Sequence, residues 1–243
     1  MFKFVSIREI MNKIVFDIET IGVDFESLQQ DEQDYILKYA EDEKKAKATK
    51  EKLGLWPFTG EIVAVCLFNP DTQRGKTYFR APASAQGLRR GEPSQKIKPF
   101  VEENIEYETM EEKEILTKFW EHIKNYKQFI TFNGRGFDCP YIMLRSAVLK
   151  VKPTANLMPY RYDPSAHIDL LDQLTFYGAF RKFSLDFYCR AFKLDNQKIE
   201  GVSGDKIQQY FKDGKFLEIA RYCSADVKAT AELYERWIKY IKT

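Results

Sequence analysis

The order of hydrophobic patterns along the 243 residues predicts an α/β fold with a mixed β-sheet flanked by helices. Three observations indicate this class. Short apolar runs typical of strands come first, amphipathic helical patterns then alternate with further short strands, and the last third of the chain has helical periodicity. No linker rich in Gly, Pro or Ser divides the chain, so we expect one domain over residues 1–243.

Five segments have the composition of β-strands. The first, Asn12–Ile18, is rich in β-branched and aromatic residues. Glu61–Phe68 is continuously apolar after its first residue, which predicts a central strand buried on both faces. An Asn-Pro-Asp turn then leads to Lys76–Arg80, its expected hairpin partner. The two remaining predicted strands are Lys127–Phe132 and His167–Leu170.

Five other segments have the periodicity of helices. In Met110–Asn125 the apolar residues recur at helical spacing and form one face. The remaining predicted helices are Tyr141–Leu149, Ser184–Phe192, Asp205–Lys212 and a long final helix from about Ile219 to Ile241. Together they supply the layers that we expect to cover the sheet.

Three segments lie outside this pattern. The second methionine, Met11, precedes the first strand directly, so residues 1–11 are either a leader or a segment upstream of the true start. Residues 24–53 are highly charged, with acids early and lysines late, an order that favours a surface helix inserted into the domain. Residues 81–99 contain Gly, Pro and Ser without periodicity and predict a basic loop that carries Arg89 and Arg90.

The composition excludes several classes of protein. Hydrophobic residues make up 44% and charged residues 30%, which is a globular balance, and the formal net charge is only +2. The longest apolar run, Ile62–Phe68, is too short to span a bilayer, so we expect no membrane partner. The four cysteines include no C-x-x-C pair, which argues against a zinc ribbon or a disulfide scaffold and favours a reducing, cytoplasmic compartment.

The first chemical signal is the pair Asp17 and Glu19 at the end of the first predicted strand. Side chains two residues apart on a strand point to the same face. Two carboxylates this close raise each other's pKa unless a cation holds them, and Mg²⁺ is a natural cation for oxygen ligands. Taken alone, the pair is equally compatible with two ordinary polar residues at a strand end.

The second signal is the sequence NGRGFDCP. Asn133 closes a predicted strand, Gly134 and Gly136 permit a tight turn, and Asp138 precedes Pro140, a residue typical of a first helical turn. Taken alone, a helix N-cap is the better explanation of the acid. At a strand–turn–helix corner, however, its side chain would face the same end of the sheet as the first pair.

The third signal is Tyr222 and Asp226 in the final predicted helix. Their spacing of four places the phenol and the carboxylate on one helix face, one turn apart. A core tyrosine beside an exposed acid would explain this spacing equally well. The three signals together are much more specific, because D-x-E, N-x-x-x-F-D and Y-x-x-x-D must all occur in this order along the chain.

This ordered set resembles the DEDD superfamily of 3′–5′ exonucleases on the ribonuclease H-like fold, in the subclass that carries a tyrosine. More narrowly, the sequence looks like the predicted exonucleases related to the proofreading domain of family B DNA polymerases. The resemblance covers about residues 12–240 and includes His167–Leu170 and the Ser184–Asp186 helix start. The histidine subclass is excluded, since it would need a histidine at the position of Arg221.

The resemblance implies two divalent metal ions, Mg²⁺ or Mn²⁺, and hydrolysis of phosphodiester bonds. It implies that Asp17, Glu19 and Asp226 hold the ion on the side of the attacking water, while Asp17 also bridges to a second ion that Asp138 supports. Tyr222 would orient the water, because a phenol with a pKa of about 10 is a weak base. The expected product is a 5′-nucleotide released from a 3′ end.

The expected partner is the 3′ end of a nucleic acid, with single-stranded DNA favoured. In related enzymes the asparagine of the second motif lies by the substrate, which implies a substrate-side role for Asn133. Phe137 could stack on a terminal base, although core packing is the better explanation of its ring. Arg89 and Arg90 could hold phosphates, and a solvated loop is equally compatible with them.

The sequence leaves other functions open. The same carboxylates serve exoribonucleases, and no motif reports contacts to a ribose 2′-OH. An inactive nucleic-acid-binding module of the same fold is a second alternative, against which the retention of all four acids and Tyr222 argues. Proofreading in trans with a polymerase is also compatible with the sequence, which gives no indication of the oligomeric state.

Overall fold

The computed structural model describes residues 13–82, 97–194 and 203–242. The predicted leader, residues 1–11, lies outside the described residues, as do Arg89, Arg90 and most of the predicted basic loop 81–99. Within the described residues the chain forms one mixed sheet of seven strands with helices on both faces. This is the fold class that the sequence predicts.

The sheet contains both antiparallel and parallel strand pairs. Their bounds are β1 Lys13–Gly22, β2 Gly60–Asn69, β3 Arg74–Phe79, β4 Phe100–Glu102, β5 Ile105–Thr109, β6 Gln128–Thr131 and β7 His167–Asp169. They pair in the order β4-β5-β3-β2-β1-β6-β7. The pairs β1–β2, β2–β3 and β4–β5 are antiparallel, and the other three are parallel. β2 is the middle strand and is buried throughout, as its apolar sequence predicts.

Five of the eight α-helices in the described residues match predicted helices, whereas a short helix begins at Leu170, which the sequence assigns to a strand. Their bounds are α1 Gln30–Leu37, α2 Glu43–Lys50, α3 Glu112–Ile123, α4 Asp138–Val148, α5 Leu170–Leu174, α6 Leu185–Phe192, α7 Ile207–Lys212 and α8 Phe216–Tyr240. The charged segment forms two helices, because Asp42 caps α2 by accepting a hydrogen bond from Lys45 N at 2.7 Å. None of the described helices is both long enough and apolar enough to cross a membrane.

Alternation along β1 divides the core between the two faces of the sheet. Phe16 points to the face that α3 covers, where its ring centroid lies 5.3 Å from that of Phe119. Val15 points to the opposite face and belongs to the same buried cluster as the apolar side chains of α8. Asp17 and Glu19 have the same parity as Val15, so β1 presents them toward α8.

The acid-rich segment after residue 99 contains two strands, β4 and β5, that the sequence does not predict. Along β5, Ile105 and Tyr107 are buried while Glu106 and Glu108 point outward. Each of these two glutamates lies 3.0 Å from the ammonium of Lys76 on the neighbouring β3. The strand is therefore stabilised by a partner that is remote in sequence.

Candidate active site

β1 supplies two acids from the interior of the sheet. Asp17 pairs with Cys66 of β2 and Glu19 with Ala64, and the register shifts directly after Glu19. Asp17 is partly buried and Glu19 is 8% exposed. An oxygen of each carboxylate and the sulfur of Cys223 all lie within 4.8 Å of one another. The spacing of two residues thus places both acids at one point on one face.

Asp138 reaches this point from the start of α4. Its side chain is 3% exposed, and Oδ1 accepts a hydrogen bond from Ile18 N at 3.0 Å. Because Ile18 lies between the two acids of β1, this bond ties α4 to the centre of the site. The N-cap position of α4 belongs to Phe137. The carboxylate is therefore engaged with β1, whereas the local sequence alone favours capping.

α8 supplies the third motif of the site. Tyr222 and Asp226 lie one turn apart, as their spacing predicts, and the Tyr222 hydroxyl is hydrogen-bonded to the Asp226 carboxylate. The neighbouring Cys223 is fully buried, and its sulfur lies 3.4 Å from the carbonyl oxygen of Asp17 and 3.9 Å from Oδ2. α8 therefore packs directly against the acid-bearing part of β1. We call Asp17, Glu19, Asp138 and Asp226 the acid cluster.

Burial and repulsion between like charges dominate the electrostatics of the acid cluster. Burial raises the pKa of Asp17 well above its usual range, and the charges of Asp138, Glu19 and Asp226 raise it further. Burial likewise raises the pKa of Glu19, and Asp226 contributes next. Burial raises the pKa of Asp138 to about 7, against the opposing effect of its hydrogen bond from Ile18 N. The cluster thus takes up protons when no cation is bound.

The same surroundings act on the two neighbouring side chains of α8. Burial raises the pKa of the Tyr222 phenol, and the charges of Asp226 and Glu19 raise it further. Burial also raises the pKa of the Cys223 thiol well above its usual range, and the charge of Asp17 adds to this. Both groups are therefore protonated at neutral pH.

The loop between β6 and α4 is held in place by Asp169, the last residue of β7. Its carboxylate accepts hydrogen bonds from the backbone N of Asn133 and of Arg135, both at 2.9 Å. Asn133 has a φ of 61°, a conformation that asparagine tolerates well. A Cβ at Gly134 would lie 2.4 Å from Thr131 Oγ1, so the close approach requires glycine. The loop thereby delivers the first residue of α4 to the site.

The structure brings together five of the nine residues that the sequence nominates. They are Asp17, Glu19, Asp138, Tyr222 and Asp226. Asn133 lies in the supporting loop. Phe137 is partly buried against the core, with its ring centroid 5.3 Å from that of Tyr141. Arg89 and Arg90 fall outside the described residues.

Two supporting residues receive no specific role from the sequence. Cys223 is part of a motif only through its neighbour Tyr222, and its contact with Asp17 depends on how α8 packs. Asp169 could have been recognised from its position between a strand and a helix, which is typical of an N-cap. Its carboxylate does accept a hydrogen bond from Leu171 N, at 3.0 Å, in addition to holding the loop.

The acid cluster is suited to hard divalent cations. Across residues 13–82, 97–194 and 203–242, no Lys or Arg nitrogen lies within 4.0 Å of a carboxylate oxygen of Asp17, Glu19 or Asp138. Several carboxylate oxygens without a protein cation match the oxygen ligands that Mg²⁺ and Mn²⁺ prefer. The donor set therefore fits such ions, and Tyr222 stands beside it as a group that can orient water.

The mixed sheet and the acids that converge on its central strands define the class of protein: a nuclease of the ribonuclease H-like type. The model of the family described as predicted 3′–5′ exonucleases related to the exonuclease domain of PolB matches residues 89–242, and the chain belongs to this family. The match confirms the resemblance drawn from the motifs. It includes Asp138, Tyr222 and Asp226, and the structure places Asp17 and Glu19 beside them.

Similar proteins are much longer than this chain. DNA polymerase 1 of Sulfurisphaera ohwakuensis is 28% identical over 131 residues, which are 50% of this chain and 15% of the polymerase. The family B DNA polymerase of the hyperthermophilic archaeon Pyrobaculum calidifontis has a similar fold, with a TM-score of 0.55 and 15% identity. That likeness covers 93% of this chain and 24% of the polymerase. The chain thus corresponds to a small part of each.

Proposed function

We propose that the chain is a metal-dependent enzyme that hydrolyses phosphodiester bonds at the 3′ end of single-stranded DNA by a two-metal-ion mechanism. The observation that carries this proposal is the acid cluster. Within the described residues, Asp17, Glu19 and Asp138 face one another without an ion pair to lysine or arginine. Burying like charges costs stability, so the arrangement is best explained by a reaction that uses cations.

Two divalent ions, Mg²⁺ or Mn²⁺, would supply a water of lowered pKa and neutralise charge on the leaving oxygen. Asp17, Glu19 and Asp226 would hold one ion, and Asp17 and Asp138 the other. The hydrogen bond from Ile18 N fixes the orientation of the Asp138 carboxylate in advance. Asp169 does the same for the loop that precedes it. Such preorganisation lowers the cost of binding at the moment of reaction.

Tyr222 would position the attacking water. Its raised pKa keeps the phenol protonated, so the hydroxyl donates to the Asp226 carboxylate while its oxygen accepts a hydrogen bond from the water. The proton of the water would have to go to another acceptor, because the phenol is already protonated. The tyrosine therefore acts by orientation and not as a general base.

The polymer in this proposal is DNA because the similar proteins are DNA polymerases. The products would be 5′-nucleotides, released one at a time. Asn133 and Phe137, which lie in the loop and at the start of α4, would contact the terminal nucleotide, and Arg89 and Arg90 would contact phosphates further along the strand. A polymerase supplied by a separate chain would be the partner in a proofreading role.

A cleavage assay tests the proposal. Single-stranded DNA and RNA of the same sequence, labelled at the 5′ end, are incubated with Mg²⁺, Mn²⁺ or EDTA. We expect a ladder that shortens from the 3′ end of the DNA and disappears in EDTA. Asp17→Asn should abolish the ladder, because the substitution preserves the shape of the side chain and removes its charge.

Asp213→Asn is the matched control, since Asp213 is an acid at the end of α7 whose side chain is 40% exposed and pairs with Lys215. It should cleave as the wild type does. Cleavage that persists in EDTA, or in Asp17→Asn, would contradict the metal-dependent mechanism. A ladder with RNA alone would replace DNA by RNA as the substrate and leave the mechanism in place.

A further inference from the structure

A patch of exposed aromatic side chains lies on the segments that flank β7 and α5. We define the aromatic patch as Tyr160, Tyr162, Phe176, Tyr177 and Phe180. Tyr160 is 73% exposed, Phe180 66%, Phe176 58% and Tyr162 57%. Aromatic surface of this kind is costly to leave in water, and a group of such rings marks an interaction surface.

The rings of the patch are held in fixed positions. The centroids of Tyr160 and Tyr162 lie 5.6 Å apart, those of Tyr162 and Tyr177 4.8 Å apart, and those of Phe176 and Phe180 6.0 Å apart. Phe176 and Tyr177 also have successive positive φ angles of 49° and 58°. Backbone in this region is unfavourable for bulky residues, and such strain clusters at functional surfaces. The patch is therefore presented in advance of any ligand.

Polar contacts lock the segments that carry the rings. Arg161 Nε lies 2.8 Å from Asp172 Oδ2, which joins the segment before β7 to α5. Gln173 donates a hydrogen bond to the Tyr177 hydroxyl at 2.8 Å. The backbone N of Tyr177 donates to the carbonyl of Asp172 at 2.7 Å. These bonds restrict the rings to one arrangement rather than leaving them on a free loop.

Positive charge accompanies the rings. Arg181 and Lys182 follow Phe180 directly and are exposed, and the Arg181 guanidinium lies 5.2 Å from the centroid of the Phe183 ring. Asp163 is the exposed acid in the same region. Alternating rings and cations are what a single nucleic acid strand requires, because its bases stack on the rings while its phosphates meet the cations.

Hydrogen bonds connect the segments of the patch to the loop that precedes Asp138. Arg135, in the loop that precedes Asp138, donates a hydrogen bond to the carbonyl of Pro159, the residue before Tyr160. Asp169 holds the backbone of that same loop and caps α5, which ends two residues before Phe176. A strand whose 3′ end lies at the acid cluster could therefore extend onto the patch.

We propose that the aromatic patch binds the single-stranded nucleic acid 5′ of the terminal nucleotide by stacking of its bases. The inference rests on the proposed function for the place of the 3′ end, and it adds a second contact region remote from the chemistry. Stacking on aromatic rings tolerates any base, so the patch would supply affinity without sequence preference. It would make longer strands better ligands than short ones.

Fluorescence anisotropy in EDTA tests the patch without cleavage. The probes are labelled single strands of about twenty nucleotides, one DNA and one RNA, a dinucleotide, and a blunt duplex. For Tyr160→Ala/Phe180→Ala we expect affinity for the single strands to fall by about tenfold or more, because each lost ring removes a stacking partner. Binding of the dinucleotide and of the duplex, whose bases are already stacked, should not change.

Two further variants serve as controls. Tyr160→Phe/Phe180→Tyr keeps both rings and should retain wild-type affinity. Tyr35→Ala/Tyr39→Ala removes one ring of α1 and one just after its end, which are 77% and 82% exposed, and should also bind as the wild type does. An effect confined to the DNA or the RNA strand identifies the polymer that uses the patch, and an equal effect on both supports stacking that ignores the sugar.

Unchanged affinity of Tyr160→Ala/Phe180→Ala for both strands would overturn the inference, as would an equal loss with the duplex. A dimer that dissociates in this variant at unchanged affinity, measured by sedimentation equilibrium, would assign the patch to contacts between copies of the chain and would also overturn it. Wild-type protein that binds strands through the patch but cleaves none would support the patch and contradict the proposed function.

Discussion

Buried acids occur in two different settings in this molecule. Glu112 of α3 is 7% exposed, and Oε1 accepts hydrogen bonds from Arg145 Nε at 2.8 Å and from Ile62 N at 2.9 Å. Asp17 and Glu19 lie on β1, the strand that pairs with the strand of Ile62, and they face other carboxylates instead. The charge of Glu112 is thus compensated within the protein, whereas Asp17 and Glu19 have no lysine or arginine partner among the described residues.

The comparison separates structural from functional burial of charge. A buried carboxylate paired with arginine joins two helices and costs the fold little once the pair is complete. A buried carboxylate among others destabilises the fold and retains a raised pKa, as for Asp138. The second arrangement is typical of sites that bind cations or transfer protons. The predictions below test whether the two settings respond oppositely to substitution.

Asp226→Asn should have the largest effect. Removal of one carboxylate should reduce cleavage by roughly 10³-fold, since a catalytic metal stabilises the transition state by several kcal/mol and about 1.4 kcal/mol corresponds to a factor of ten. The thermal unfolding temperature should stay within a few degrees of the wild type. The measurement pairs single-turnover rates with thermal unfolding of the same preparation, and near-normal rates would remove Asp226 from the site.

Arg145→Ala tests the compensated setting. The substitution leaves Glu112 buried without its partner, which should lower the free energy of unfolding by about 3–5 kcal/mol. The rate per folded molecule should not change at low temperature, since Arg145 lies about two turns along α4 from Asp138. Urea unfolding measures the loss. Glu112→Leu/Arg145→Met should recover much of the stability, and an equally unstable double variant would show that the ion pair is not the cause.

Tyr222→Phe should have an intermediate effect. The variant keeps the ring and loses the hydroxyl that is hydrogen-bonded to Asp226, so the water would be less well oriented. We expect a rate reduced by about ten- to a hundredfold, with unchanged binding of Mn²⁺ measured by calorimetry. Unchanged turnover would contradict the orienting role, and a loss of metal binding would assign the tyrosine to the ion instead.

Asp138→Asn should have the smallest effect. The effect concerns how the stability of the metal-free protein depends on pH. The pKa of Asp138 is raised to about 7 by burial, so the folded chain holds a proton that the unfolded chain releases near pH 4. Asp138 contributes fully to the stability of the folded chain below about pH 4, and this contribution is lost as the pH rises through about 7. In EDTA near pH 8 the variant should therefore be more stable than the wild type, and the difference should vanish near pH 4.

His167 must be separated from this effect because it acts in the opposite sense. Burial lowers its pKa to about 4, and the charge of Arg135 adds to this. The unfolded chain binds a proton between about pH 6.5 and pH 4 that the folded chain does not, so His167 makes stability rise with pH in that window. The difference between Asp138→Asn and wild type cancels this contribution. A difference that is constant from pH 4 to pH 8 would contradict the raised pKa of Asp138.

The sequence predicts most of the central sheet because its signals are local. The apolar run in β2 and the periodicity of α3 and α8 each depend on neighbouring residues. β4 and β5 are not predicted because Glu106 and Glu108 form ion pairs with Lys76, which lies on another strand. The turn between these strands places Glu103 and Asn104 at positive φ without the glycine that usually signals a hairpin.

The candidate site likewise combines features that the sequence predicts with contacts that it does not predict. Each motif is visible in the sequence, and the spacing of Asp17 and Glu19 predicts their common face. That Asp138 bonds to Ile18 N rather than serving as the N-cap of α4 depends on how α4 meets β1. The contact between Cys223 and Asp17 depends equally on packing of α8. Long-range packing of this kind leaves no local pattern in the sequence.

The most direct test of the central claim is a calorimetric titration of Mn²⁺ into the protein near pH 8. If the acid cluster forms a two-metal site, the wild type should bind about two ions, as the two-metal mechanism requires. Asp17→Asn should lose both ions, because Asp17 would bridge them, and Glu112→Gln, if folded, should bind as the wild type does. Absence of Mn²⁺ binding by the folded wild type, or equal binding by Asp17→Asn, would contradict the account.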